Sequence, residues 1–443
     1  MQRVQLVITV SLTLLLLFLM SPVVIASSAS ADSGGAANPN NHHALTPTTT
    51  NLVATINPPN ASSFDIGFYA HGIYYLADRT AGGIDMIDAL SNGFLGTITG
   101  FVGVNVTCGS ACSGPNGVVV IPKLQEAWGG DGDSTVKVVD LASNKIVNSI
   151  PTGGQFRADE IAYDQRNNII LVANDHDTPP FLTFISVATQ QVIGHIYLPN
   201  AIGGLEQPVW NHNNGMFYES LPSTTANPGG EVDEISPISM QIINVFPVTN
   251  CQPNGLVLGP HDHLLLGCTE ITDTVHAESL IMNAHNGRIV ATITQVGGSD
   301  EVAYDSSDGL YYLASDAMTS NGYSTGNSTP VLGIINAFTN KWVENVPTGV
   351  PGASAHSVAV DPVNNHIFVP VGGAGILVFK TVLQLTYYTV QPGDSLYAIG
   401  LQFNVPWHQI AQTNQIVPPY TIYVGEQLII PISSNSSFTH TVK

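Results

Sequence analysis

Asp159-Glu160-Ile161-Ala162-Tyr163-Asp164 returns later in the chain as Asp300-Glu301-Val302-Ala303-Tyr304-Asp305. Each copy is followed by a polar turn and a second apolar run, Ile169-Ile170-Leu171-Val172-Ala173-Asn174 and Leu310-Tyr311-Tyr312-Leu313-Ala314-Ser315. A hairpin written twice marks an internal repeat, and a repeat decides the architecture before any local propensity does. Aligning the rest of the chain under it recovers five weaker copies, at Asp65-Ile66, Asn116-Gly117, Glu206-Gln207, Asn254-Gly255 and His356-Ser357. The seven starts lie roughly 43–56 residues apart, the length of four short strands, which is one blade of a β-propeller.

The ends of the units agree. A third strand reads apolar-Asp/Asn-small, as in Met86-Ile87-Asp88-Ala89, Val138-Val139-Asp140-Leu141 and Ile334-Ile335-Asn336-Ala337. A fourth follows a polar turn, as in Lys145–Ile150, Gln191–Ile196 and Arg288–Ile293. The last unit, opening at His356, has a third strand at Gly375–Lys380 and no fourth. Asn51-Leu52-Val53-Ala54-Thr55-Ile56 repeats the Val-Ala-Thr-Ile of residues 290–293, so the first strand is expected to complete the last blade. That closes the ring and removes a free sheet edge. The fold class is mainly β: a seven-bladed propeller over residues 51–382, followed by a small α+β domain.

The flanks and composition suit an exported protein. Arg3, the apolar run Val4–Met20 and Ala29-Ser30-Ala31 read as a signal peptide over residues 1–31. An uncleaved anchor is the rival reading, since the run is about long enough to span a bilayer. Residues 32–50 are a Ser/Gly/Asn/Thr/Pro linker, and 433–443 a polar, disordered tail. With 11 Lys and Arg against 32 Asp and Glu, the formal charge is −21. Such a surface repels nucleic acid and anionic membrane, so neither is expected as a partner after signal cleavage. Few charges among many Asn, Thr, Gly and Tyr also suit an acidic medium.

Four cysteines in an exported chain point to disulfides. Cys251 and Cys268 fall nearly opposite each other across a hairpin, and Cys108 and Cys112 share a Gly/Ser loop. Residues 60–380 contain no P-loop, Gly-x-Ser-x-Gly or His-Glu-x-x-His motif. Asp131-Gly132-Asp133 and Asp175-His176-Asp177 stand where second strands turn into third ones and read as turns.

One constellation stands out. The innermost strand of a blade starts at the mouth of the central channel. The seven starts are Asp65, Asn116, Asp159, Glu206, Asn254, Asp300 and His356, all polar. Glu160 and Glu301 follow at the next level, with Gln207. A wet channel lined by satisfied polar groups is one reading. The other is a ring of oxygen donors with one His, suited to Ca2+, another divalent cation or a hydroxyl-rich ligand.

Ile170-Leu171-Val172-Ala173-Asn174, Val136-Lys137-Val138-Val139-Asp140 and His356-Ser357-Val358-Ala359-Val360-Asp361-Pro362 resemble the secreted bacterial YVTN-type seven-bladed propellers. That resemblance implies fold and carries no catalytic residue. The likeness to the sugar-lactone hydrolases is architectural only. Those enzymes hold a divalent cation at the channel mouth through Glu, Asn and Asp.

After Lys380 the pattern changes. Thr389-Val390, Gly393-Asp394-Ser395-Leu396, Asn414 and Gly425-x-x-Leu428-x-Ile430-Pro431 resemble a LysM domain, expected over residues 386–432. Its strand–helix–helix–strand order is legible: Asp394 or Ser395 caps the first helix, Trp407–Thr413 forms the second, and Tyr423–Pro431 returns as a strand. The resemblance implies binding of N-acetylglucosamine-containing glycan, peptidoglycan or chitin, between Gly393, Asp394, Ser395, Leu396 and Tyr397 and the segment Asn414, Gln415 and Ile416. Val417-Pro418-Pro419-Tyr420 departs from the family's form there, and a purely structural cap is the alternative.

Two functions follow. One is a secreted, wall-associated binder with the propeller as a ligand or partner module. The other is a metal-dependent, lactonase-like hydrolase or lyase anchored by LysM. No nucleophile or acid–base pair emerges from the sequence, which favours the binder.

Overall fold

The computed structural model describes residues 49–349, 355–403 and 405–433. The expected signal peptide, linker residues 32–48 and the tail beyond 433 lie outside the described residues. The first strand is Thr49–Ile56, so two residues assigned to the linker already belong to the sheet.

Six four-stranded antiparallel sheets follow in chain order, each strand pairing with the next. Blade I starts at Phe64–Ala70, II at Val118–Ile121, III at Ile161–Asp164, IV at Val209–Trp210, V at Pro253–Leu258 and VI at Val302–Asp305. Blade VII contains Ala359–Asp361, His366–Val371 and Gly375–Thr389, and the N-terminal strand is its outermost member. Thr49 pairs with Val382 and Ile56 with Ile376, which closes the ring as the repeat required.

The sequence explains each part of a blade. Second strands such as Ile169–Asn174 and Leu310–Ser315 are buried along their whole length, because neighbouring blades cover both faces. Leu171 and Phe184 of blade III accordingly pack with Phe217 and Ile235 of blade IV. The turns between first and second strands are built by one aspartate. Asp164 accepts the amides of Arg166 and Asn167, and Asp305 and Asp361 repeat the arrangement with Ser307 and with Val363 and Asn364. Asn168, Gly309 and Asn365 then take the left-handed conformation that reverses the chain. The third-strand Asp or Asn does the same at the next turn, as Asp88 with Ser91 and Asn336 with Thr339. Every outermost strand carries a register shift against its partner. A bulge there twists the exposed edge and discourages pairing with another sheet.

The two expected disulfides are present, Cys108–Cys112 and Cys251–Cys268, and the second is buried between strands of blade V.

The strand Gly375–Thr389 does not end with blade VII. It runs on to pair with Gln427–Ser433, so the same strand serves propeller and C-terminal domain, without the expected break at 383–385. The returning strand begins at Gln427 rather than Tyr423, because Tyr423–Glu426 is spent on a turn. Helix α1 is Leu396–Phe403 and helix α2 is Trp407–Thr413. Ser395 is the cap of α1, its hydroxyl accepting the Ala398 amide at 3.1 Å. Val390, Leu396, Ile399, Ile410, Leu428 and Ile430 form the core of this domain. Gln409 of α2 donates to the Ser307 carbonyl at 3.1 Å, and His408 packs on Phe338 with ring centroids 5.2 Å apart. Ser307 and Phe338 lie in strand 1–2 and strand 3–4 turns of blade VI. In an up-and-down blade these turns share the face opposite the innermost strand starts.

Candidate functional site

The seven polar starts do come together at one end of the channel. Asp65 and Asn254 are already inside their strands; the other five stand just ahead of theirs. Asn116, Asp159, Glu206 and Asp300 still donate their amides to second-strand carbonyls of the same blade, so their positions remain equivalent. Asp65, Asp159, Glu160, Glu206, Asp300, Glu301 and His356 line a cavity of about 230 Å3, together with Ile66, Arg79, Arg157 and Asp316. Asn116 and Asn254 stand behind it, bonded to lining side chains.

Close backbone contacts narrow the channel below this level. The Gly117 amide donates to the Asp159 carbonyl at 3.0 Å, and a Cβ on Gly117 would sit 2.5 Å from that oxygen. A Cβ on Gly255 would likewise sit 2.6 Å from the Asp300 carbonyl oxygen. Gln207 spans the interior, its side chain taking the Leu256 amide at 2.7 Å and reaching Val302 of blade VI. The cavity is therefore a cup, with Glu160 and Glu301 at its base.

Its electrostatics differ from an all-oxygen ring. Arg79 bonds Asp65 and donates to Asn116, its Nε at 3.0 Å from the amide oxygen. Arg157 pairs with Asp159 and grips Asp175, with one contact of 2.9 Å. His356 places Nδ1 3.2 Å from Asp300 and Nε2 3.6 Å from Asp65. Burial works against a charged imidazole, but the hydrogen bond to Asp300 and both carboxylates push His356 up to about 10. Burial also opposes the charge of Asp300; bonding and charge from His356, with Asn254 donating at 2.8 Å, outweigh it and hold Asp300 below the usual range. Glu160, Glu206 and Glu301 lie far above it, chiefly through burial and then through neighbouring carboxyls.

These pairings change the expectation of a metal ring. Among the described residues no three His, Cys, Asp or Glu side chains are grouped as metal ligands. The carboxylates that would have held an ion are turned towards two guanidinium groups and an imidazolium.

Sequence reasoning missed Arg79, Arg157, Asp175 and Asp316. For three of them the signal was present one strand further on, while Arg157 stands two residues ahead of Asp159. Ala77-Asp78-Arg79, Ala173-Asn174-Asp175 and Ala314-Ser315-Asp316 are the ends of second strands in one register, and the last residue of each reaches the mouth. Asp175, read as a turn residue, is thus part of the site's charge balance, whereas Asp131 pairs with Lys137 at 3.0 Å.

On the C-terminal domain, the expected groove has one wall at residues 393–397 and another after Asn414. A LysM-domain family model matches residues 388–431. Residues 388–431 form a LysM domain. The chain also carries a likeness to the "Lipoprotein NlpD/LppB homolog" of Pseudomonas aeruginosa, 39% identical over 57 residues. That stretch is 13% of this chain, and the chain spans only 19% of that relative's length. Among solved structures, the chain is similar to Kuenenia stuttgartiensis hydrazine synthase, with TM-score 0.58 and 13% identity over 74% of this chain and 98% of the other. It is also similar to a chain of a mitotic checkpoint complex, with TM-score 0.54 and 12% identity over 81% and 98%. At such identities these two show the fold alone.

Within the LysM domain the expected groove residues divide. Gly393, Ser395, Tyr397 and Gln415 are exposed, with Tyr397 63% accessible. Leu396 is not a groove residue: it is 5% exposed and packs in the domain core. Asn414 is likewise structural. Its amide donates to the Ile410 and Ile429 carbonyls at 2.8 and 2.7 Å, and its oxygen accepts the Ile429 amide at 2.7 Å. Asp394 holds the loop, accepting from Tyr388 and from the Gln391 amide. Ile416 is half-buried against the core. These four hold the domain together, and the other four stay open to solvent.

Proposed function

We propose that this chain is an extracellular, wall-associated glycan-binding protein with two sites on opposite faces. The LysM domain holds N-acetylglucosamine-containing glycan, peptidoglycan or chitin, and the propeller presents its charged cup away from that surface. The observation that carries this reading is the complete LysM domain docked on the turn face of blade VI through Gln409 and His408. The N-terminal apolar segment and the two disulfides support export. A metal-dependent hydrolase needs carboxylates free to converge on one ion, whereas Asp65, Asp159 and Asp300 are engaged by Arg79, Arg157 and His356.

The test is co-sedimentation of the whole chain lacking residues 1–31 with insoluble peptidoglycan and with chitin. Binding to at least one, weakened at least fivefold by Tyr397→Ala combined with Gln415→Ala, is the expected result. A folded chain that stays in the supernatant with both polymers overturns the reading.

A further inference from the structure

The charge balance of the cup does not close, and the imbalance is local. Asp65 has Arg79, Asp159 and Asp175 have Arg157, and Asp300 has His356 and Asn254. Among the described residues Glu160, Glu206 and Glu301 form no ion pair, although Arg157 and His356 act on Glu206 and Glu301 at longer range. All three line the cup, and Glu160 and Glu301 are only 6% and 4% exposed. Glu160 and Glu301 stand against each other, and among the described residues no amide, hydroxyl or basic side chain donates a hydrogen bond to any of the three carboxyls. Three carboxyl groups are thus aimed into one small space with their outer oxygens unused. A buried group of that kind is costly unless something supplies positive charge and donors.

We infer that the cup binds a small organic cation through a primary ammonium group held by Glu160, Glu206 and Glu301. The remaining lining selects among cations. A quaternary ammonium is held by the faces of Trp, Tyr or Phe, and among the described residues none of these lines the cup; Ile66 is its one apolar side chain there. Calcium asks for six to eight oxygens, of which Asp65, Asp159 and Asp300 are already committed elsewhere. A primary ammonium brings three N–H donors and one charge in a compact group, matching three carboxyls. The volume of about 230 Å3 equals roughly eight waters at liquid density, room for a short diamine or an amino sugar. Asp316, which also lines the cup, then meets the ligand's second amine or its hydroxyls. This inference rests on the cup being a ligand site, and goes further by naming the ligand's reacting group.

The experiment is calorimetry on the whole chain lacking residues 1–31, at pH 7 and physiological salt. The probes are putrescine, 1,4-butanediol, tetramethylammonium, glucose and CaCl2. Saturable binding of putrescine alone, weakened at least tenfold in Glu160→Gln/Glu301→Gln, is expected. Glu206→Gln serves the same comparison if the double variant does not melt cooperatively. Putrescine binding that is unchanged in these variants overturns the inference, because it reports attraction to the acidic surface. Calcium or glucose binding lost in the variants, with no putrescine binding, overturns the ammonium assignment and leaves the cup as a ligand site. Silence from every probe overturns the ammonium site and removes the support for a ligand cup.

Discussion

The carboxyl groups of Glu160 of blade III and Glu301 of blade VI stand against each other in the cup. They are the same position of the two clearest repeats, brought face to face by ring closure. Two buried carboxyls in contact do not both ionise readily, so the pair retains a proton that the unfolded chain releases. Folding therefore becomes less favourable as pH rises above the ordinary glutamate range. Glu301→Gln keeps the shape and removes the second charge. Its melting temperature should exceed the parent's at pH 8 and match it near pH 5; a lower value at pH 8 contradicts the pairing.

The same sign holds for Asp85, Asp233 and His356. Burial pushes Asp85 and Asp233 up to about 7, so the stability they allow at low pH is lost as pH rises from the unfolded carboxylate range through 7. His356, raised to about 10, contributes stability that is present below its unfolded value of 6.5 and disappears as pH rises through 10. Asp300 and Asp175, held low, act oppositely and lose their contribution as pH falls below 3.8. The melting temperature should peak between about pH 4 and 6. Asp233→Asn should raise stability at pH 8 by on the order of 1 kcal/mol, measured by thermal or urea unfolding at both pH values.

Arg157→Met tests the charge balance directly. It leaves Asp159, which is buried, without its ion-pair partner, and Asp175 with the His176 imidazole alone. The expected cost in urea unfolding at pH 7 is about 3–5 kcal/mol. The cost should shrink at pH 4–5, where the carboxyls take up protons. A variant as stable as the parent at pH 7 would show that the pairing is not formed.

Cys251–Cys268 lies wholly inside blade V, while Cys108–Cys112 closes a partly exposed loop with a sequence separation of 4. Replacing Cys251 and Cys268 by Ala should cost about 2–4 kcal/mol. Replacing Cys108 and Cys112 should cost clearly less. Urea midpoints of the two double variants make the comparison.

Ile56, 6% exposed, anchors the closing strand against Ile376 and the core of blades VII and I. Ile56→Ala should cost about 2–5 kcal/mol, and deletion of Asn51–Asn57 should lower the melting temperature of the entire propeller. A deletion variant that melts like the parent contradicts closure by this strand.

The repeat at Asp159 and Asp300 determined the blade count, the blade order and the closing role of Asn51–Ile56, because strand period and turn chemistry are local and recur at each copy. The LysM pattern was legible for the same reason: Ser395, Asp394 and Asn414 act on backbone within their own domain. Equivalence under the repeat also named the seven side chains at the mouth, since ring symmetry turns equal positions into neighbours. What they neutralise was decided only in three dimensions. Arg79 meets Asn116 of the next blade, and His356 of blade VII meets both Asp65 and Asp300. Such contacts cross blade boundaries and depend on side-chain reach, which no spacing in the chain encodes. The burial of Leu396 and the merging of propeller and LysM in one strand, Gly375–Thr389, were likewise settled by packing. Local pattern specifies which elements form, but the charge at the cup depends on which elements the closed ring sets side by side.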